Sequence, residues 1–139
     1  MDMFAIIVGT HGRLAEELLA SVDMIFGEMQ NTAAVTLLPG EGAADIAAKY
    51  EAALEKLDTS GGALFLVDIF GGTPYNAACR IVINNEKYGI VTGASLPMLV
   101  DMANAQAMDE GTDIRALMEK AAGVGKTGIR LFHTSTVSD

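Results

Sequence analysis

The feature that most constrains this chain is a set of short, nearly uninterrupted apolar runs. MFAIIV at residues 3–8 and ALFLV at 63–67 contain no polar side chain. A strand with one wet face alternates polar and apolar residues, whereas a strand without alternation is covered on both faces. Each run is followed by a glycine-containing loop and then by helical periodicity. Over residues 14–26, Leu14, Leu18, Leu19, Val22 and Phe26 fall on one helix face. Residues 32–38 read as a second strand, stopped by Pro39 and Gly40. Residues 43–57 place Ile46, Tyr50, Ala53, Leu54 and Leu57 on one helical face and leave Lys49, Glu51, Glu55 and Lys56 to water. Gly61-Gly62 breaks the chain before the third strand, 63–67. A helix over 74–84 follows, with Pro74 suited to its first turn. A fourth strand at 88–91, helices at 96–107 and 113–122, and a last strand at 128–133 (GIRLFH) complete the pattern. Such alternation predicts an α/β fold: a doubly wound, mainly parallel sheet with helices on both faces and an edge strand at the C-terminal end.

Composition narrows the function. The 139 residues suit one domain, placed at 1–134 with a loose tail over 135–139, and no linker, repeat or low-complexity stretch divides them. Nine basic residues against 18 acidic ones give a net charge of -9. That balance argues against nucleic acid and against an anionic membrane surface, both of which need basic patches. The single cysteine, Cys79, allows no internal disulfide. Its neighbours Ala77, Ala78, Ile81 and Val82 make it a small core residue on a helix. No charged leader precedes an apolar core, and no apolar run approaches the roughly 20 residues a membrane span requires, so the expected location is cytoplasmic.

In a doubly wound sheet, ligands bind beyond the carboxyl ends of the strands, where the winding reverses. Two strand ends here carry unusual polar residues: Gly9-Thr10-His11-Gly12-Arg13, and Asp68 leading through Ile69 and Phe70 to Gly71-Gly72-Thr73-Pro74-Tyr75-Asn76. Both lead into helices, which offer free N–H groups and a positive dipole end suited to a phosphoryl group. His11 is one of two histidines, and a neutral imidazole is a competent nucleophile near neutral pH. Asp68, at the matching strand end, can hold the other ring nitrogen and fix the tautomer. From the residues alone, His11 could equally cap the first helix. Gly71, Gly72 and Thr73 read as an anion cradle or as an ordinary turn with Thr73 at the N-cap. Neither common nucleotide motif occurs at a strand-to-helix turn, so no nucleotide cofactor is expected. Asp2, Asp23 and Asp45 lack such a setting and read as surface or capping residues. His133 reads as structural, and two histidines without metal-ligand spacing make zinc improbable.

Three blocks carry a resemblance: IIVGTHGRLAEELLAS at 6–21, VDIFGGTPYNAA at 67–78 and, less specifically, GASLPML at 93–99. Together they resemble the IIA domains of the mannose family of the phosphoenolpyruvate-dependent sugar phosphotransferase system. The resemblance implies a phosphocarrier with no cofactor. His11 would take a phosphoryl group from the carrier protein HPr and pass it to a IIB component acting with the membrane components IIC and IID. It implies that Asp68 orients His11, and that Gly12, Arg13, Gly71, Gly72 and Thr73 surround the phosphoryl group. It also implies a homodimer in which a C-terminal strand, residues 128–133 here, crosses to the partner's sheet as an antiparallel edge. GAS at 93–95 departs from the Gly-Val-Asn common at that place, and no IIB domain follows, so a single-domain subunit or an excised piece is expected. Related chemistry would be the phosphotransfer subunit of a dihydroxyacetone kinase. Different classes would be a regulatory module signalling through phosphorylated His11, or an unrelated flavodoxin-like binding domain.

Overall fold

The computed structural model describes residues 3–108 and 113–136. In chain order the elements are β1 (Ala5–His11), α1 (Leu14–Ile25), β2 (Thr32–Leu37), α2 (Ala43–Lys56), β3 (Ala63–Val67), α3 (Thr73–Val82), β4 (Tyr88–Val91), α4 (Leu96–Ala107) and α5 (Ile114–Thr127), with one 3-10 turn at Thr134–Thr136. The four strands form one sheet in the order β2-β1-β3-β4, and every pairing is parallel.

Apolar alternation within the strands explains the layers. Ile6, Val8, Leu64 and Leu66 point to one side, where they pack with Ala15, Val22, Leu99, Met102, Leu117 and Ala121 of α1, α4 and α5. Ala5, Ile7, Ala63 and Phe65 point to the other, against Ile46, Tyr50 and Ala53 of α2 and Ala77 and Ala78 of α3. Both faces are therefore dry, as the unbroken apolar runs require. Because β1 lies between β2 and β3, the winding reverses between β1 and β3. The carboxyl ends of those two strands form the crevice in which His11 and Asp68 sit.

Three departures from the sequence reading exceed two residues. First, β1 does not stop at Val8: its ladder with β2 continues through Thr10↔Thr36 and His11↔Leu37, so His11 ends a strand. Backbone pairing is indifferent to the loss of apolar side chains that marks this point in sequence. Second, α5 runs to Thr127, beyond the expected end at residue 122. An interior glycine costs a helix about 1 kcal/mol, which is too little to end one, and the helix continues through Gly123 and Gly125 with Gly125 close against Met98 of α4. Third, residues 128–133 form no strand within the chain, and Ile129, Leu131 and Phe132 are exposed. A strand requires a neighbour, and among the described residues none lies there. Of the tail placed at 135–139, Ser135 and Thr136 belong to the 3-10 turn and 137–139 lie outside the described residues, as does Asp2. Asp45 accepts the Gly42 N–H at the start of α2, while Asp23 is exposed on α1.

Candidate functional site

The site is built on the ends of β1 and β3. Register aligns Gly9 with Val67, which places the last residues of β1 beside Asp68. One carboxylate oxygen of Asp68, Oδ2, accepts both the His11 backbone N–H and the His11 ring Nδ1, each at 2.9 Å. The other, Oδ1, accepts the Ile69 N–H at 3.0 Å. An ionised carboxylate only accepts hydrogen bonds, so Nδ1 carries a proton, and in a neutral ring Nε2 is the nitrogen that keeps its lone pair. Burial works to raise the Asp68 pKa, but the His11 backbone N–H, the His11 ring and the Ile69 N–H outweigh it and hold the carboxyl below its ordinary range. The Asp68 side chain is 12% exposed and that of His11 46%, so the anion is sheltered and the imidazole is open to a visitor.

The second wall is the start of α3. Gly72 is its N-cap, Thr73 the first helical residue and Pro74 the second. Thr73 therefore does not cap the helix, and its hydroxyl has no hydrogen-bond partner among the described residues. A helix start leaves its first N–H groups without intrahelical acceptors and carries partial positive charge. Gly72 brings this end against the imidazole: a Cβ there would lie 2.8 Å from His11 Cε1. Gly71 takes the left-handed conformation at φ 83° that turns the chain into the helix, and its carbonyl accepts from the Asn76 side chain at 3.1 Å.

The remaining candidates are placed differently. Gly12 makes the left-handed turn out of β1 at φ 59°, but its N–H is already bound to the Leu37 carbonyl at 2.8 Å. Its contribution is the shape of the turn. Arg13 is mostly exposed and pairs with Glu16 at 3.1 Å. His133 bonds Ser135 Oγ at 2.8 Å within the C-terminal segment. Cys79 is partly buried on α3. Among the described residues, no cluster of His, Cys, Asp and Glu could hold a metal ion, and no helix is long and apolar enough to cross a membrane.

Two buried residues at the site were not legible as site residues. Thr10 is fully buried, and its hydroxyl accepts the Ala15 N–H at 2.8 Å, so it caps α1 from within the strand. Its only sequence signal is a polar residue at the end of an apolar run. Tyr50 sits on the apolar face of α2 and reaches α3. Nothing in sequence separates it from an ordinary core aromatic. The third block is tied to the same strand end, since Gly93 and Ala94 donate to the carbonyls of Asp68 and Val67.

A family model described as "PTS system fructose IIA component" matches residues 5–121, which contain both strand ends. The chain belongs to this family of IIA components. Among IIA relatives, the "PTS system mannose-specific EIIAB component" of Escherichia coli K12 is 41% identical over 133 residues, 96% of this chain. This chain spans only 41% of that relative's length. The "PTS system sorbose-specific EIIA component" of Lacticaseibacillus casei is 35% identical over 118 residues, 84% of each protein. The solved "Mannose/sorbose specific IIA subunit of phosphotransferase system" from Enterococcus faecalis superposes with a TM-score of 0.84 at 28% identity, covering 99% of this chain and 100% of that one. The α/β fold and the IIA resemblance read from residues 6–21 and 67–78 both hold.

Proposed function

We propose that this IIA component is a phosphocarrier in which His11 accepts a phosphoryl group from phosphorylated HPr and passes it to a histidine of a IIB component, during sugar uptake by the membrane components IIC and IID. The observation that carries the reading is the His11–Asp68 pair at 2.9 Å, which in a neutral ring makes Nε2 the nitrogen with the free lone pair. In transfer, the Nε2 lone pair attacks phosphorus while the bond from phosphorus to the donor's imidazole nitrogen breaks. The donor ring leaves neutral, keeping its own N–H. His11 retains the Nδ1 proton, so its ring becomes cationic, and the Asp68 carboxylate stabilises that charge. Proton count is unchanged, and no metal or base is needed. The Gly71, Gly72 and Thr73 region presents N–H groups and a free hydroxyl to the phosphoryl oxygens. Arg13 can join them only by leaving Glu16.

A homodimer belongs to the same reading. Ile129, Leu131 and Phe132 are 78%, 87% and 82% exposed, and pairing residues 128–133 with the sheet of a second copy would cover them. The carrier works in the cytoplasm.

The test is phosphorylation of the full chain by phosphoenolpyruvate, enzyme I and HPr. One acid-labile phosphoryl group per chain is expected, and ATP should not substitute. His11→Ala should take no label and His133→Ala should label normally. Absence of label on the wild-type chain, or its persistence in His11→Ala, would refute the proposal.

A further inference from the structure

We infer that Tyr50 is a positioning residue for phosphoryl transfer: its buried hydroxyl locks the first turn of α3 in place opposite His11. The inference rests on the phosphocarrier reading given above. Tyr50 is fully buried on α2 and meets Phe65 edge to face, with ring centroids 5.2 Å apart. Its hydroxyl donates to the Pro74 carbonyl at 2.8 Å. The carbonyl has no hydrogen to give, so the direction of this bond is fixed. Burial, and after it the charge on Asp68, push the phenol pKa up, so the donor keeps its proton.

On its way to Pro74 the ring lies across Gly9. A Cβ at that position would meet the Tyr50 hydroxyl and lie 2.9 Å from Cζ and 3.0 Å from Cε1. Gly9 has no positive φ, so the glycine is explained by space alone. One side chain thus touches β1 two residues before His11 and the helix that faces the imidazole.

The Pro74 carbonyl belongs to the planar, trans peptide that also contains the Tyr75 N–H, so the two groups point in opposite directions. The first intrahelical bond of α3 runs from the Asn76 N–H to the Gly72 carbonyl. Tyr75 therefore carries the last of the N–H groups that a helix start leaves free. Gripping the carbonyl from the core fixes the plane of this peptide and polarises its N–H. That N–H looks back past the helix start, the end that Gly72 sets against the His11 ring.

Tyr50→Phe removes the bond and keeps the ring. The rate constant for transfer at saturating phosphorylated HPr should fall about 5- to 50-fold, less than the loss of a whole oxyanion donor because the N–H remains but is no longer held. The KM for phosphorylated HPr should stay within about twofold, since Tyr50 lies beneath the surface a partner meets. The Tyr75 amide resonance should shift while the His11 ring nitrogens keep the wild-type tautomer. Leu54→Ala, a cavity elsewhere in the same apolar layer, should lower the melting temperature and leave the rate constant alone. Gly9→Ala, which pushes the ring away, should reproduce the Tyr50→Phe rate loss and amide shift. It decides the matter by the same readouts if Tyr50→Phe is too unstable to assay. A wild-type rate in a folded Tyr50→Phe or Gly9→Ala protein, a Leu54→Ala rate lowered as much, or failure of both Tyr50 and Gly9 variants to fold overturns the assignment. A wild-type chain that takes no label refutes instead the phosphocarrier reading.

Discussion

The contact between Gly72 and His11 allows a prediction whose size follows from distances. Gly72 has φ -81°, which alanine adopts freely, so Gly72→Ala adds one methyl group without backbone strain. That methyl would lie 2.8 Å from His11 Cε1 and 3.2 Å from Ile69 Cγ1. Carbon atoms pack at about 3.5–4.0 Å, so the ring must retreat by about 0.7 Å or more. The Nδ1 to Asp68 bond is 2.9 Å, and a shift of that size lengthens it to at most about 3.6 Å and otherwise bends it, weakening it in either case. A misplacement near 1 Å costs on the order of 100-fold in rate. Transfer from phosphorylated HPr should therefore fall about 10- to 100-fold. Stability should change by no more than about 1 kcal/mol, because alanine is a poorer N-cap than glycine but restricts the unfolded chain. Stopped-flow transfer rates, thermal unfolding and the ¹⁵N shifts of the His11 ring measure the three quantities. A Gly72→Ala protein with wild-type rate and wild-type ring shifts would refute the steric reasoning and with it the placement of α3 against the imidazole.

Further expectations concern the neighbouring groups. Asp68→Asn should slow transfer by roughly 10- to 1000-fold and change the His11 tautomer signature; unchanged rate and tautomer would remove the orienting role. Because the folded Asp68 pKa lies below its ordinary value, its stabilising effect is complete above the unfolded pKa of about 3.9 and is lost as pH falls through the folded value. The unfolding free energies of wild type and Asp68→Asn should therefore converge in acid below about pH 4, which urea titrations across pH would show. Thr10→Ala should cost about 0.5–2 kcal/mol by leaving the buried Ala15 N–H without its acceptor, read as a lower urea midpoint at an unchanged slope. Light scattering should give about twice the 14.5 kDa chain mass, and replacing Leu131 and Phe132 by serine should halve it if residues 128–133 form the dimer contact.

The parallel sheet was legible because strands such as ALFLV have no other way to bury both faces, and helix positions followed from apolar spacing. His11 and Asp68 were legible as a pair because the strand order brings the ends of β1 and β3 together across 57 residues of chain. What sequence could not convey was the direction of individual atoms. Gly12 reads as a phosphate-loop glycine, yet its N–H is bound to Leu37. Thr73 reads as a cap, yet Gly72 holds that position. Thr10 and Tyr50 act through hydroxyls aimed at one atom each, and a one-letter pattern records the residue but not its aim. GIRLFH has the composition of a strand, but pairing is a property of two segments, and among the described residues no strand lies beside it.

The double grip of Asp68 Oδ2 on the backbone and the ring of His11 has a kinetic meaning. An imidazole tethered at both ends of its side chain cannot swing from one partner to another like an arm. It is a fixed mooring with a single open berth at Nε2. If His11 is the phosphocarrier proposed above, a phosphoryl donor and a phosphoryl acceptor must occupy that berth in turn, never together. The two half-reactions would then follow a ping-pong order, and each partner, at high concentration, would inhibit the other.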